Sequence, residues 1–367
     1  MKRLRIDKPL ALLIGILLLG GCMIFASAAF GTLARGSSGV TSVVFSHLVL
    51  GVGGGLVLLI IAMTLDYKRW RPLAPYIYAV AILATALVFV PHLGSAHGGG
   101  QRWLSLGRIS LQPSELLKLA SILMAATYFA TIKEGTATLT WGLGGLAGIL
   151  ILPVLLLIAQ PDIGTLGVIV ISVFAVFFAA GGRWRDIAIL ICVAVLAIGA
   201  LAFEKPYIRD RITTFLDPSQ GQQAESYQIK QSLIAIGSGG AFGRGFGQGV
   251  QKFTYLPEPM GDSIFAVAGE ELGFVGTSII VILFLLFALR GYGIAGKSSD
   301  IFGGLLAVGI STYLASEAFI NIAAMLSVAP LTGIPLTFVS QGGSAMLMSL
   351  ASAGVLLSIS RYQKRQA

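Results

Sequence analysis

Apolar residues along this chain gather in long runs separated by short polar links, and no period-2 alternation dominates. Ten runs stand out, at 9–30, 43–65, 73–91, 113–131, 140–159, 163–181, 186–203, 263–289, 302–325 and 339–360. Each approaches the ~20 apolar residues that a helix needs to cross a bilayer core. The pattern predicts an all-α integral membrane protein of about ten transmembrane helices, forming one domain over 1–367. Most joints are short. The exception is 204–262, a polar link too long for an ordinary connection and therefore expected to be functional. No internal repeat or heptad pattern is visible.

Composition agrees with the runs. Of 367 residues, 56% are hydrophobic and 11% charged, against about 25% charged in soluble domains. The net charge of +9 would suggest nucleic acid in a soluble protein. Here no basic stripe with interleaved aromatics supports that, and nucleic-acid binding is excluded. The basic residues alternate by side instead. With the N-terminus inside, the inner segments hold Lys2, Arg3, Arg5, Lys8, Lys68, Arg69, Arg71, Lys133, Arg183, Arg185, Arg290, Lys297, Arg361, Lys364 and Arg365. The short outer links hold Arg35, Arg102 and Arg108. This bias predicts cytoplasmic termini and an extracytoplasmic 204–262 loop. Cys22 and Cys192 fall inside apolar runs, so no disulfide framework is expected. "LGGC" ending at Cys22 and "ASA" at 26–28 resemble cleavage sites, but the run continues to Phe30 and reads as the first span.

Ionisable groups within spans are functional candidates because hydrocarbon penalises them. They are Glu115, Lys118, Asp162, Glu270, Glu271 and Glu317. Glu115 and Lys118 sit one helical turn apart. They form either a self-neutralising pair within the bundle or a site where Lys118 meets an anionic headgroup. Asp162, in "QPD", either caps the following span or joins Arg102 and Lys118 around a polar cavity. Glu270 and Glu271 cannot both stay ionised without basic partners, and at least one is expected to face the interior. The run "IGSGGAFGRGFGQG" (236–249) lacks the context of a phosphate loop and reads as tight turns with close backbone packing. His92 and His97 lack zinc-site spacing. His47, inside the second span, reads as a hydrogen-bonded bundle residue.

"YLPEPMGDSIF" (255–265) stands at the entrance to the eighth span. Two prolines prevent regular helix, and Gly261 frees the backbone. Asp262 then either caps the helix or presents a carboxylate at the outer surface, as a base or a ligand for a divalent cation. The residues leave both readings open.

Five blocks, in order, carry a resemblance over nearly the whole chain. They are "QRWLSLGRISLQPSELLKLA" (101–120), "AQPDIGT" (159–165), "YQIKQSLIAIGSGGAFGRG" (227–245), "QKFTYLPEPMGDSIFAVAGEELGFVG" (251–276) and "GIPLTFVSQGGSAML" (333–347). The chain resembles the SEDS family of shape, elongation, division and sporulation proteins, closer to the FtsW branch than to RodA. The resemblance implies a peptidoglycan glycosyltransferase of the bacterial cytoplasmic membrane that polymerises lipid II into a nascent glycan strand. It implies a class B penicillin-binding transpeptidase as partner. The family's essential acid matches Asp262, expected as the base. Arg102 and Lys118 are expected on the leaving pyrophosphate, oriented by Glu115 and Asp162, with Ser340 and Ser344 at the substrate. A divalent cation, magnesium or manganese, is compatible with this chemistry. No nucleotide is needed, because the lipid pyrophosphate is already activated. Gln341 stands where the family has an aromatic, and Gly261 and Ser263 also depart from its pattern. A lipid II flippase and a non-catalytic scaffold for the transpeptidase are the competing readings. The candidate charges gather at the outer level, whereas transporter sites favour the midplane.

Overall fold

Hydrophobic runs of bilayer length become helices because a chain in hydrocarbon must satisfy its backbone internally. The computed structural model describes residues 6–363 apart from 37–39, 98–99, 107–108, 133–135, 137, 205 and 217–222. Lys2, Arg3, Arg5, Arg108, Lys133, Lys364 and Arg365, used to orient the chain, lie outside the described residues. Helices occupy all ten predicted positions. They are α1 (Lys8–Ala34), α2 (Val40–Thr64), α3 (Tyr67–Leu87), α4 (Pro113–Ile132), α5 (Thr140–Ala159), α6 (Ile163–Ala179), α7 (Trp184–Glu204), α11 (Ile264–Gly296), α12 (Ile301–Met325) and α13 (Gly343–Ser360). Among the described residues, eight are long and apolar enough to cross a membrane, and α6 is a shorter apolar helix. α3 begins earlier and α11 ends later than their apolar runs, because polar residues at the membrane surface extend both helices.

Two polar links are not loops. The 204–262 segment folds into α8 (Pro206–Leu216), α9 (Gln223–Ser238) and α10 (Gln251–Thr254). α9 buries Ile229, Ser232 and Ala235 against the bundle. The link between α3 and α4 departs from the all-α expectation. It is a three-stranded antiparallel sheet, β1 (Gly94–His97), β2 (Gly100–Leu106) and β3 (Ile109–Leu111), with Ser95 opposite Trp103 and Ser105 opposite Ser110.

Spans alternate in direction, which separates two faces. On one, Asp7 caps α1 through the Leu10 amide at 3.0 Å and grips Arg290 at 2.7 Å. Tyr67 meets Asp300 there at 3.1 Å, and Ser358 and Arg361 donate to carbonyls at the end of α2. The opposite face gathers the sheet, the α5–α6 joint, the start of α11 and the α12–α13 link. α12 and α13 are the most enclosed spans, with 78 and 83% of their apolar windows buried against 17% for α2 and α3. Glu317 of α12 belongs to one of the buried charge clusters of the interior.

α11 is broken near its outer end. Gly273 has φ 68° and ψ −167°, which no helix contains. A break in a span frees backbone groups that would cost several kcal/mol each in hydrocarbon. The glycine-rich run satisfies them. Arg244 and Gly245 amides donate to the Glu270 and Glu271 carbonyls at 3.0 and 3.1 Å. Phe274 and Val275 amides donate to the Gly240 and Ala241 carbonyls at 2.9 and 3.0 Å. Only bare backbone permits this approach: a β-carbon on Gly273 would lie 2.2 Å from the Gly243 nitrogen. The expected close packing of 236–249 is therefore found, and its partner is the broken span. Gly273→Ala should lower the melting temperature of the detergent-solubilised protein by several degrees, since left-handed backbone alone costs a side chain roughly 1–2 kcal/mol. An unchanged melting curve would show that the break is not constrained by this packing.

Candidate functional site

The stretch before α11 is held in turns. Glu258 lies between two prolines at φ 44°, and its carbonyl accepts the amides of Gly261 and Ser263 at 3.0 and 3.2 Å. Ser263 occupies the N-cap position and no side chain caps the helix. Asp262 therefore stands one residue outside the cap, and the capping alternative does not hold. Its carboxyl is left for other work. Packing around it strips water from the charged form and pushes the carboxyl up to about 7, and the Glu258 carboxylate adds to the rise. Arg102 and Arg211 oppose it. Asp262 nonetheless keeps part of its surface open.

Arg102 reaches this place from β2. Its guanidinium donates to the Gln160 carbonyl at 3.4 Å and to the Pro161 carbonyl, and one terminal nitrogen lies 3.7 Å from Asp162. Asp162 also accepts from the Thr165 amide at 3.4 Å, capping α6, and from Gln112 at 3.3 Å. Capping and the pairing with Arg102 thus coexist in one buried carboxylate. Arg102 and Asp262 converge on the α12–α13 link. A β-carbon on Gly333 would lie 3.6 Å from Asp262 Oδ2 and 3.9 Å from Arg102 Nη1.

Lys118 does not join that opening. Its ammonium lies 2.9 Å from Glu115 and 2.7 Å from Glu317, over the Tyr313 ring at 5.0 Å. The side chains of the three charged residues are 1–2% exposed. The geometry is that of the ion-pair alternative, enlarged by Glu317, and it leaves Lys118 no open face toward a headgroup. A buried ammonium needs its counter-charges close, and these two carboxylates enclose it. Ser340 and Ser344, expected at the substrate, are likewise buried. Ser340 donates to the Gly261 carbonyl and accepts the Leu336 amide, both at 2.8 Å. Ser344 accepts the Gln112 amide at 3.3 Å. Both brace the walls of the opening.

Several residues emerge only in three dimensions. Asn321 donates to the carbonyls of Asp262 and Ile334 at 2.9 and 2.8 Å. Tyr313, Glu317 and Asn321 are four residues apart on α12 and share one stripe, about 6 Å per step. Arg211, on α8, acts on Asp262 electrostatically and lies 3.4 Å from Glu225. Lys252 meets Glu271 at 2.5 Å and Ser27 at 2.6 Å, wholly buried. Glu271 also accepts the Gly247 amide at 3.0 Å, and Glu270 accepts the Val250 and Gln251 amides at 2.8 and 3.0 Å. The end of the glycine-rich run and the residues that follow it thus turn their amides to the chain's own carboxylates. His47 departs from expectation: it stacks on Phe25 at 3.9 Å and neither ring nitrogen is hydrogen-bonded.

Among the described residues, no three His, Cys, Asp or Glu side chains converge as metal ligands. Glu258 and Asp262 offer two carboxylates at the opening, a donor set suited to a hard cation that keeps several waters and shares substrate phosphates.

The family model of cell cycle proteins that unites FtsW, RodA and SpoVE matches residues 8–365. Stage V sporulation protein E of Bacillus subtilis is 37% identical over 86% of this chain and 86% of its own length. A probable peptidoglycan glycosyltransferase FtsW of Thioalkalivibrio sulfidiphilus is 37% identical over 97% of this chain and 90% of its own. Among solved structures, a chain of a peptidoglycan synthase complex that coordinates polymerization and crosslinking superposes with TM-score 0.81, at 27% identity, covering 98% of this chain and 99% of that one. The rod shape determining protein RodA of Thermus thermophilus superposes with TM-score 0.70, at 26% identity over the whole of both chains.

The buried triad sets an ordering of stabilities. Lys118→Met leaves two carboxylates without a counter-ion and should cost about 3–5 kcal/mol. Glu317→Gln leaves one balanced pair and should cost less. Thermal unfolding of both variants in detergent checks this, and equal losses would show that Lys118 does not neutralise both acids.

Proposed function

We infer the function from the family to which the chain belongs, the cell cycle proteins FtsW, RodA and SpoVE: it is a peptidoglycan glycosyltransferase that polymerises lipid II. The observation that carries this reading is the approach of the Asp262 carboxylate and the Arg102 guanidinium to one point over Gly333. Glycosyl transfer from a lipid pyrophosphate needs a base at the attacking hydroxyl and positive charge at the departing phosphate. Asp262 takes the proton of the acceptor hydroxyl, whose oxygen forms the new bond to the anomeric carbon. The bond from that carbon to the phosphate oxygen breaks, and the pyrophosphate leaves with the electron pair. Arg102 stabilises the charge gathering there, and Arg211 adds a second cation on the same side of the chain. A pKa near 7 suits a base working near neutrality, because it joins adequate basicity to a deprotonated fraction. Lys118 acts from behind, holding α4 to α12 through Glu115 and Glu317.

Glu258 and Asp262 would hold a magnesium or manganese ion, which would supply further positive charge to the pyrophosphate. The reacting face is the outer one. The opposite face carries Arg69, Arg183, Arg290, Lys297 and Arg361 at helix ends and is cytoplasmic by the positive-inside rule. The start of α1 and the end of α13 lie there, in a bacterial cytoplasmic membrane, and a class B penicillin-binding transpeptidase crosslinks the strand that emerges.

Purified wild-type protein given lipid II should make long glycan strands, and Asp262→Ala should make none while remaining folded. Activity in that variant would remove the base role. A wild type that makes no polymer, alone or with a transpeptidase, but moves lipid II across liposomes would identify a flippase. The rate should rise with pH through about 7, because the base works deprotonated. Glu258→Gln removes a neighbouring negative charge and should shift that rise to lower pH. A flat profile between pH 5 and 9 would exclude Asp262 as the titrating group.

A further inference from the structure

Gly333 sits in the irregular link between α12 and α13 at φ 69°, a left-handed conformation open to glycine. Its absent side chain leaves a notch with two polar edges. Apart from its chain neighbours, and among the described residues, the atoms within 4 Å of the place a β-carbon would take are Asp262 Oδ2 and Arg102 Nη1. The two groups come from distant parts of the chain, and each is fixed from behind. Arg102 is held by the Gln160 and Pro161 carbonyls. Asp262 is held through its backbone.

The notch has two walls, the 258–263 turns and the 331–336 segment, and Asn321 joins them. Its amide nitrogen donates to the Asp262 carbonyl on one wall and to the Ile334 carbonyl on the other. The side chain is buried, 2% exposed, so both bonds are protected from water. A second tie lies behind: the Gln341 amide donates to the Met260 carbonyl at 2.7 Å, and Ser340 to Gly261. The spacing of the walls is therefore set by hydrogen bonds of fixed length. Asn321 touches neither polar edge directly.

We propose that the bare backbone of Gly333 is the floor of the reacting subsite, against which the donor sugar's anomeric carbon rests, and that Asn321 is the positioning residue that fixes the width of that subsite. The assignment rests on the polymerase reading above. It follows from the carboxylate and the guanidinium both facing this one place, at 3.6 and 3.9 Å. A displacement at carbon places the incoming hydroxyl and the outgoing phosphate on opposite sides of the reacting atom. The carboxylate edge then meets the hydroxyl and the guanidinium edge meets the phosphate. Any side chain at 333 would occupy the place of the sugar.

The test uses the full-length protein in detergent with purified lipid II. Gly333→Asn fills the notch with a residue that tolerates left-handed backbone. It should insert and melt close to wild type, yet polymerise about 100-fold more slowly, the loss expected when a reacting group is displaced by about 1 Å. Asn321→Ser and Asn321→Ala should lower kcat about tenfold or more with donor KM nearly unchanged, because a loosened wall misplaces the base without removing a substrate contact. Wild-type rates in Gly333→Asn would overturn the subsite. Unchanged kcat, or a loss confined to KM, in both Asn321 variants would overturn the positioning role. Should Gly333→Asn fail to fold, the Asn321 variants and Gly333→Ala decide the matter by the same readouts. Wild type without polymer would instead defeat the polymerase reading, a result distinct from active wild type with active Gly333→Asn.

Discussion

An unpaired backbone amide or carbonyl in hydrocarbon has no water to turn to, and the outer half of this molecule is organised by that penalty. α11 breaks at Gly273, and two carbonyls before the break and two amides after it are bound by the 240–245 segment. The match draws the glycine-rich run into the protein and brings the amides of Gly247, Val250 and Gln251 to Glu270 and Glu271. Those carboxylates in turn call for Lys252, whose buried ammonium anchors α10 to α1 through Ser27. The turns that carry Asp262 begin a few residues later. One break in one helix thus fixes the approach of the chain to Asp262.

The interior charges follow the same economy. Lys118 lies between Glu115 and Glu317, and Lys252 against Glu271, so each deep ammonium has a carboxylate within 3 Å. Such pairs add little net stability compared with apolar packing, but breaking one is costly, so they specify which helices meet. The stripe Tyr313, Glu317 and Asn321 extends this specification outward along α12. Its first two members meet Lys118 and its last holds the Asp262 carbonyl. Charge pairing in the bundle and alignment at the surface share one helix face.

The spans were legible because a bilayer imposes a length on apolar runs, and each of the ten runs contains a helix. The pairing of Glu115 with Lys118 was legible from a three-residue spacing. Glu317 was visible as a costly acid, but its partner depends on α4 lying against α12, which no local pattern encodes. The β-meander was missed because its alternation, in "QRWLSL", is brief and lies inside a polar link. Lys252 gave no signal, since it precedes the eighth span and is buried only by the glycine-rich fold around it. Asp262 was legible as a candidate, although the cap position falls to Ser263. Its meeting with Arg102 was not, because the two lie 160 positions apart.

The break at Gly273 also divides α11 into a short and a long piece. The piece from Ile264 to Glu271 is buried throughout, and the glycine-rich segment bonds to both sides of the break, to the carbonyls before Gly273 and the amides after it. Asp262 stands at the head of the short piece. The break is therefore splinted rather than hinged: a stretch of backbone laid across it replaces the missing helical bonds, and Asp262 is placed by a rigid joint.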